Sequence, residues 1–183
     1  MVIAKQSLSR MDTFQIFLLV SMGPIVLRGH VEFNNVHCLV RDRKFMDFEY
    51  CYLKSVNRSY KYLSLKTKFF QLPIETCVTK FQLRMRDNKR ILYNFDIKVD
   101  ACKFLRDPDK HVLANWVYQT FAPFSNMNHT CPYTQDVVID RLPVHHVNKL
   151  VQTIIPDGRY FMNTTWVTDG ITRADVVLYI TKA

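Results

Sequence analysis

Cys77-Val78-Thr79-Lys80-Phe81-Gln82-Leu83-Arg84-Met85-Arg86, then Asp87-Asn88-Lys89-Arg90, then Ile91-Leu92-Tyr93-Asn94-Phe95-Asp96-Ile97-Lys98-Val99, is the stretch that decides the fold. Cys77, Thr79, Phe81, Leu83 and Met85 share one face of an extended chain, and Lys80, Gln82, Arg84 and Arg86 share the other. Ile91, Tyr93, Phe95, Ile97 and Val99 resume the apolar face after the polar turn. Successive side chains of a strand point to opposite sides, so this pattern reads as a hairpin with one dry and one wet side. Such hairpins belong to antiparallel sheets packed on a core.

Working outward, the same alternation recurs. Phe33 to Val40 and Phe45 to Leu53 read as strands carrying Cys38 and Cys51, and a bridge between these two would staple a first hairpin. From Tyr60 to Leu72, Leu63, Leu65, Thr67 and Phe69 oppose Ser64, Lys66 and Lys68, with Pro73 ending the strand. Asp136 to Leu142 gives a short strand ended by Pro143, and Val144 to Gln152 one or two helical turns. From Gly158, Tyr160, Met162, Thr164 and Trp166 face inward. Asp169-Gly170 supplies a hairpin turn. Ala174, Val176, Leu178 and Ile180 then face the core, with Arg173, Asp175 and Thr181 opposite. Seven or eight strands at short intervals with one inserted helix predict a mainly β fold, an antiparallel β-sandwich.

The inserted helix follows the hairpin. Asp107-Pro108 pairs an N-cap residue with a proline at the first helical position. Val112, Leu113, Trp116, Val117, Thr120 and Phe121 then fall on one face of a helix over Asp109 to Phe121. Cys102 and Cys131 flank it, and a bridge between them would pin the helix over the sandwich at an edge or an end. Two readings stand side by side: an ordinary packing helix, or a helix that gates a cavity. Cys77 on the dry face reads as a buried free thiol acting as a small hydrophobe.

The first thirty residues read as targeting rather than fold. Lys5 and Arg10 precede the apolar run Phe14 to Leu27, the pattern of a secretory signal peptide over residues 1–30 with cleavage between Ser21 and His30. An uncleaved signal anchor is the alternative. The sequons at Asn57, Asn128 and Asn163 and five cysteines, all after residue 30, agree with export to an oxidising compartment. Each sequon predicts an exposed Asn side chain. Residues 31–183 are then of a length that suits one domain with a core of its own. Of the 25 basic and 16 acidic residues, 22 and 15 lie in that part, a net charge of +7. The basic residues are spaced singly along strands, as on the wet face of a sheet, and nucleic acid is a poor partner for an exported chain.

Catalytic patterns are missing from the sequence. His145-His146 is adjacent rather than spaced i, i+4, and neither a Gly-x-Ser-x-Gly elbow nor a Gly-rich phosphate loop occurs. The expectation is a protein that is not an enzyme and uses no cofactor or metal.

Four blocks carry a family resemblance: Phe48-Glu49-Tyr50-Cys51-Tyr52-Leu53-Lys54, Val56-Asn57-Arg58-Ser59-Tyr60-Lys61-Tyr62, Asp100-Ala101-Cys102-Lys103-Phe104-Leu105 and His129-Thr130-Cys131-Pro132-Tyr133. They resemble the signature blocks of a large insect-expanded family of secreted proteins whose best-known members are the chemosensory CheB proteins. Through Cys131-Pro132-Tyr133 and Gly158-Arg159-Tyr160 the chain is distantly similar to the ganglioside activator protein and the ML lipid-recognition fold. The resemblance implies an immunoglobulin-like sandwich whose sheets splay to hold a lipid or other hydrophobic small molecule, in a setting such as pheromone or taste detection. Leu63, Leu65, Phe69, Phe81, Leu83, Phe95, Ile97, Leu113, Trp116, Val117, Phe121, Tyr160 and Trp166 are the candidate pocket residues. The same side chains serve a solid core equally well. The alternative is therefore a secreted interaction module acting on a membrane receptor or ion channel, without a cavity. Cavity volume separates the two.

Overall fold

A computed structural model describes residues 29–57, 60–86, 95–152 and 154–183. The expected signal segment and the turn at 87–94, with Ile91 and Tyr93, lie outside the described residues. Eight strands are present among the described residues: β1 (Val31–Val40), β2 (Met46–Ser55), β3 (Lys61–Phe69), β4 (Val78–Met85), β5 (Phe95–Asp100), β6 (Val138–Pro143), β7 (Gly158–Thr168) and β8 (Ile171–Lys182). They form two antiparallel sheets, one of order β1-β8-β7-β4-β5 and one of order β2-β3-β6.

The hairpin that opened the sequence argument is β4–β5. Thr79 sits opposite Val99, Phe81 opposite Ile97 and Leu83 opposite Phe95, the register that places the apolar positions of both strands on one face. The β7–β8 hairpin turns at Asp169 and Gly170, with φ of 53° and 76°. These left-handed values are what a two-residue turn matched to strand twist requires, and Asp-Gly supplies them at low cost. Inward side chains of both sheets meet in one apolar cluster, in which Val31, Phe33, Leu65 and Tyr160 are fully buried. Residues of this kind remove the most apolar surface from water, which is the main favourable term for the fold.

Both bridges form as Cys38–Cys51 and Cys102–Cys131, and Cys77 stays a thiol. The expected β1–β2 hairpin does not form. β1 pairs with β8 and β2 with β3, so Cys38–Cys51 joins an edge strand of one sheet to an edge strand of the other. Alternation fixes which face a residue occupies, but it carries no information about which strand lies alongside.

The single helix expected over Asp109 to Phe121 is replaced by two short helices and two tight turns, while the helical turns expected from Val144 to Gln152 do form. Asp100 accepts a hydrogen bond from the Lys103 amide at 3.0 Å and so caps α1 (Ala101–Phe104). Asp107 caps nothing; its carboxylate pairs with Lys110 at 2.6 Å. Pro108 opens only a 3₁₀ turn, Pro108–Lys110, and His111 breaks it before α2 (Val112–Gln119) begins. A second 3₁₀ turn covers Ala122–Phe124, with Pro123 inside it. α3 (Val144–Val151) buries Val144, Val147 and Val151, an i, i+3, i+7 stripe, and its Asn148 accepts from the Val31 amide at 3.0 Å.

The segment from α1 to Tyr133 spans the side of the sandwich away from the Cys38–Cys51 bridge. It leaves the end of β5 and meets the free edge of β6, where Ser125 pairs with Ile139. Asn126 also binds both ways there, donating to the Asp136 carbonyl and accepting from the Val138 amide at 2.8 Å.

One strand position departs from simple alternation. Arg173, expected on the outer face, is buried at 7% exposure. Trp166 pairs with Ala174 and Val167 with Thr172, so Arg173 is the extra residue of a bulge in β8. Bulges re-aim a side chain in this way. Asp175, also expected to be solvated, is covered by the Arg41 guanidinium at 2.7 Å and the Thr165 hydroxyl at 2.6 Å.

Candidate functional site

Between the sheets, under α2, lies a cavity of about 210 Å³. Its wall is built from period-2 faces of β3, β4, β6, β7 and β8 and is closed by α1, α2 and α3. Of the candidate pocket residues, Leu63, Leu65, Phe69, Phe81, Leu83, Trp116, Val117, Phe121 and Trp166 line it. Four do not. Tyr160 is wholly buried in packed core and its hydroxyl donates to the Pro156 carbonyl at 2.8 Å. Ile97 and Leu113 line a shallow outer groove between β5 and α2. Because α2 starts only at Val112, its first turn overhangs the sheet edge, leaving Val112 82% and Leu113 49% exposed. Phe95 occupies the expected strand register, but its side chain is outside the described residues.

The polar groups of the wall are mostly turned away from the void. Trp116 Nε1 donates to the Leu150 carbonyl at 3.2 Å, Tyr118 to the Met127 carbonyl at 2.7 Å and Tyr133 to the His129 carbonyl at 2.5 Å. Thr120 donates to the Val117 carbonyl at 2.6 Å. Each of these side chains therefore offers the cavity its apolar body, which is how amphipathic aromatics behave when buried. Burial pushes the Tyr118 hydroxyl above its usual range, and burial with Tyr118 and Cys77 nearby pushes Tyr133 up to about 12. The Cys77 thiol also lines the cavity; its surface meets the void rather than bulk water, and this desolvation raises its pKa. A thiol so placed is a poor nucleophile.

Among the lining residues Arg173 alone is charged. Its guanidinium lies over the Phe45 ring at 4.0 Å from the centroid and pairs with the Asp42 carboxylate. Sequence reasoning missed Arg173 because a bulge leaves no mark in period-2 patterning. It also missed Phe45, Ile74, Tyr133 and Val137, which come from strand ends and loops where no periodicity exists to read.

The sequon asparagines differ. Asn57 and Asn128 are exposed. Asn163 lies on the outer face of β7 as expected but is only partly exposed: its amide nitrogen contacts Gln82 and Thr165 at 3.5 and 3.4 Å, and its Oδ1 is buried. His145 and His146 face different neighbours, Tyr60 and the Gln119 carbonyl. Among the described residues no group of His, Cys, Asp and Glu could hold a metal, and no helix is long and apolar enough to cross a membrane.

The fold and site define a mainly β, two-sheet protein enclosing an apolar cavity beneath a disulfide-tied helical segment. A family model described as "Protein of unknown function (DUF1091)" matches residues 79–162, from β4 into β7, the part that holds that segment. No curated protein matches the chain.

Proposed function

We propose that the protein is a secreted carrier that holds a small hydrophobic or lipid ligand between its two sheets. The cavity is the observation that supports this most directly. Ligand sites are concave and mostly apolar with few polar groups, and this wall fits that description with one charged side chain. At about 210 Å³ it exceeds by far the void a well-packed core leaves, and an engineered cavity of about 150 Å³ already takes up benzene. That size suits one compact ligand. The two disulfides, the exposed sequons at Asn57 and Asn128 and the signal-like opening support export. The resemblance to CheB-like chemosensory proteins and, more distantly, to the immunoglobulin-like ML lipid-recognition sandwich supports the same reading, with pheromone or taste detection as the natural setting.

The two tryptophans of the chain, Trp116 and Trp166, both stand in the wall. Native mass spectrometry of the protein purified from a secreting host should show a discrete mass excess that organic solvent removes. The stripped protein should then change its tryptophan emission on titration with a short fatty acid or its neutral analogues. A bare chain mass together with silent tryptophans would overturn the proposal.

A further inference from the structure

The surface that the wall turns to the void is almost wholly apolar. Its polar side chains direct their hydrogen bonds elsewhere. Trp116, Tyr118, Tyr133 and Thr120 each donate to a backbone carbonyl. Thr79 Oγ1 and Cys77 Sγ lie 3.9 Å apart and face each other. Arg173 is charged, yet it presents little of that charge to the void. Its Nη1 pairs with Asp42 and its plane covers the Phe45 ring at 4.0 Å from the centroid. Its Nε has no partner among the described residues and is all but sealed off. A guest in the void therefore meets an almost unbroken apolar surface, with next to no donor or acceptor within reach.

Such a wall discriminates by what it does not offer. A hydroxyl or carbonyl taken from water into it loses its hydrogen bonds and gains none. A carboxylate is worse placed, because Arg173, the one charged side chain of the wall, is already paired with Asp42. A hydrocarbon gives up no hydrogen bond and gains the burial of its whole surface. We infer that the ligand is a hydrocarbon, a compact chain or ring with no hydrogen-bonding or ionised group, and that alcohols and fatty acids of the same size are rejected. This rests on the carrier reading and names the class of its ligand.

Hexane, hexan-1-ol and hexanoate share one chain length and differ only at its end. Each can be titrated into the stripped wild-type protein at pH 7, following the emission of Trp116 and Trp166 in the wall. Hexane should bind more than about a hundredfold tighter than hexan-1-ol. A medium that cannot hydrogen-bond separates the two by about a thousandfold or more, and one that can by about thirtyfold or less. Hexanoate should bind more weakly than hexan-1-ol. A hexane-to-hexanol ratio below about a hundredfold overturns the inference, because the hydroxyl has then found a partner in the wall or water at its rim. Hexanoate as the tighter of the two polar probes overturns it as well. Silence from all three overturns the carrier reading itself, a result distinct from binding without this preference.

Discussion

β7 runs through two regions that are made of the same kinds of residue and behave differently. At its start Tyr160 packs with Val31, Phe33 and Ile180 and is fully buried, with its hydroxyl satisfied. Near its end Trp166 is only partly buried and faces the void beside Trp116 and Phe121. Hydrophobicity does not distinguish the two ends. The difference lies in what closes each. α3 lays Val144, Val147 and Val151 on the core, the last two also reaching the cavity wall, and its Asn148 ties it to β1, whereas α2 buries only Ala114 and Val117. A helix with a regular apolar stripe packs closely along its length, whereas a short one inside a bridged segment buries less and can stand over a gap.

The largest effect that tests this comparison is at the solid end. Tyr160→Ala removes a fully enclosed ring and should cost about 3–5 kcal/mol in denaturant unfolding, with ligand binding per folded molecule little changed. A loss below about 1 kcal/mol would show that this end is not solid. Next, Cys102→Ser with Cys131→Ser opens a loop of 29 residues' separation and should cost about 3–4 kcal/mol on the chain-entropy account. It should also abolish the tryptophan response to ligand, because the roof is released. Retained response in the folded double variant would remove the bridge from the roof's support.

Trp116→Ala should show the opposite balance to Tyr160→Ala. The indole has packing partners on one side and void on the other, so its loss should cost on the order of 2 kcal/mol while ligand affinity falls at least tenfold. Thermal unfolding alongside a binding titration that follows Trp166 separates these. A stability loss as large as that of Tyr160→Ala with unchanged affinity would return α2 to plain packing.

The smallest effect is on pH dependence. A Tyr in an unfolded chain ionises near pH 10, while Tyr133 in the fold is held up to about 12. Between these values the native state keeps a proton that the unfolded state has lost. The contribution is therefore complete below about pH 10 and is lost as pH rises towards 12. Tyr133→Phe should flatten that alkaline decline, read as urea midpoints from pH 8 upward. An unchanged slope would place the Tyr133 hydroxyl in contact with water.

The strands were legible because each buries one face, and burial on one face writes period 2 into the sequence. Asp169-Gly170 was legible for a similarly local reason; Cys38–Cys51 pairs as expected, but across the two sheets rather than within the hairpin the sequence suggested. What escaped is non-local. The partner of β1 is β8 at the far end of the chain, and neither strand's own pattern names the other. The start of α2 turned on whether Asp107 would cap a helix or pair with Lys110, two uses of one carboxylate that sequence does not rank. The cavity itself was not legible, since Leu65 and Phe81 fill a core or line a void with the same side chains. Arg173 was hidden for another reason: a single unpaired residue in β8 shifts the face count by one.

The Cys38–Cys51 bridge acts as a fulcrum. It clamps β1 to β2 and thereby holds the two sheets together along one edge. The sheets cannot part evenly, so any widening is a wedge whose gape is greatest at the β5 and β6 side. For the carrier proposed above, the doorway would lie on that side, with the stretch from α1 to Tyr133 as its latch. A bulky guest would be admitted by lifting this latch, with the traffic rate set by a few turns of helix rather than by the separation of two whole sheets.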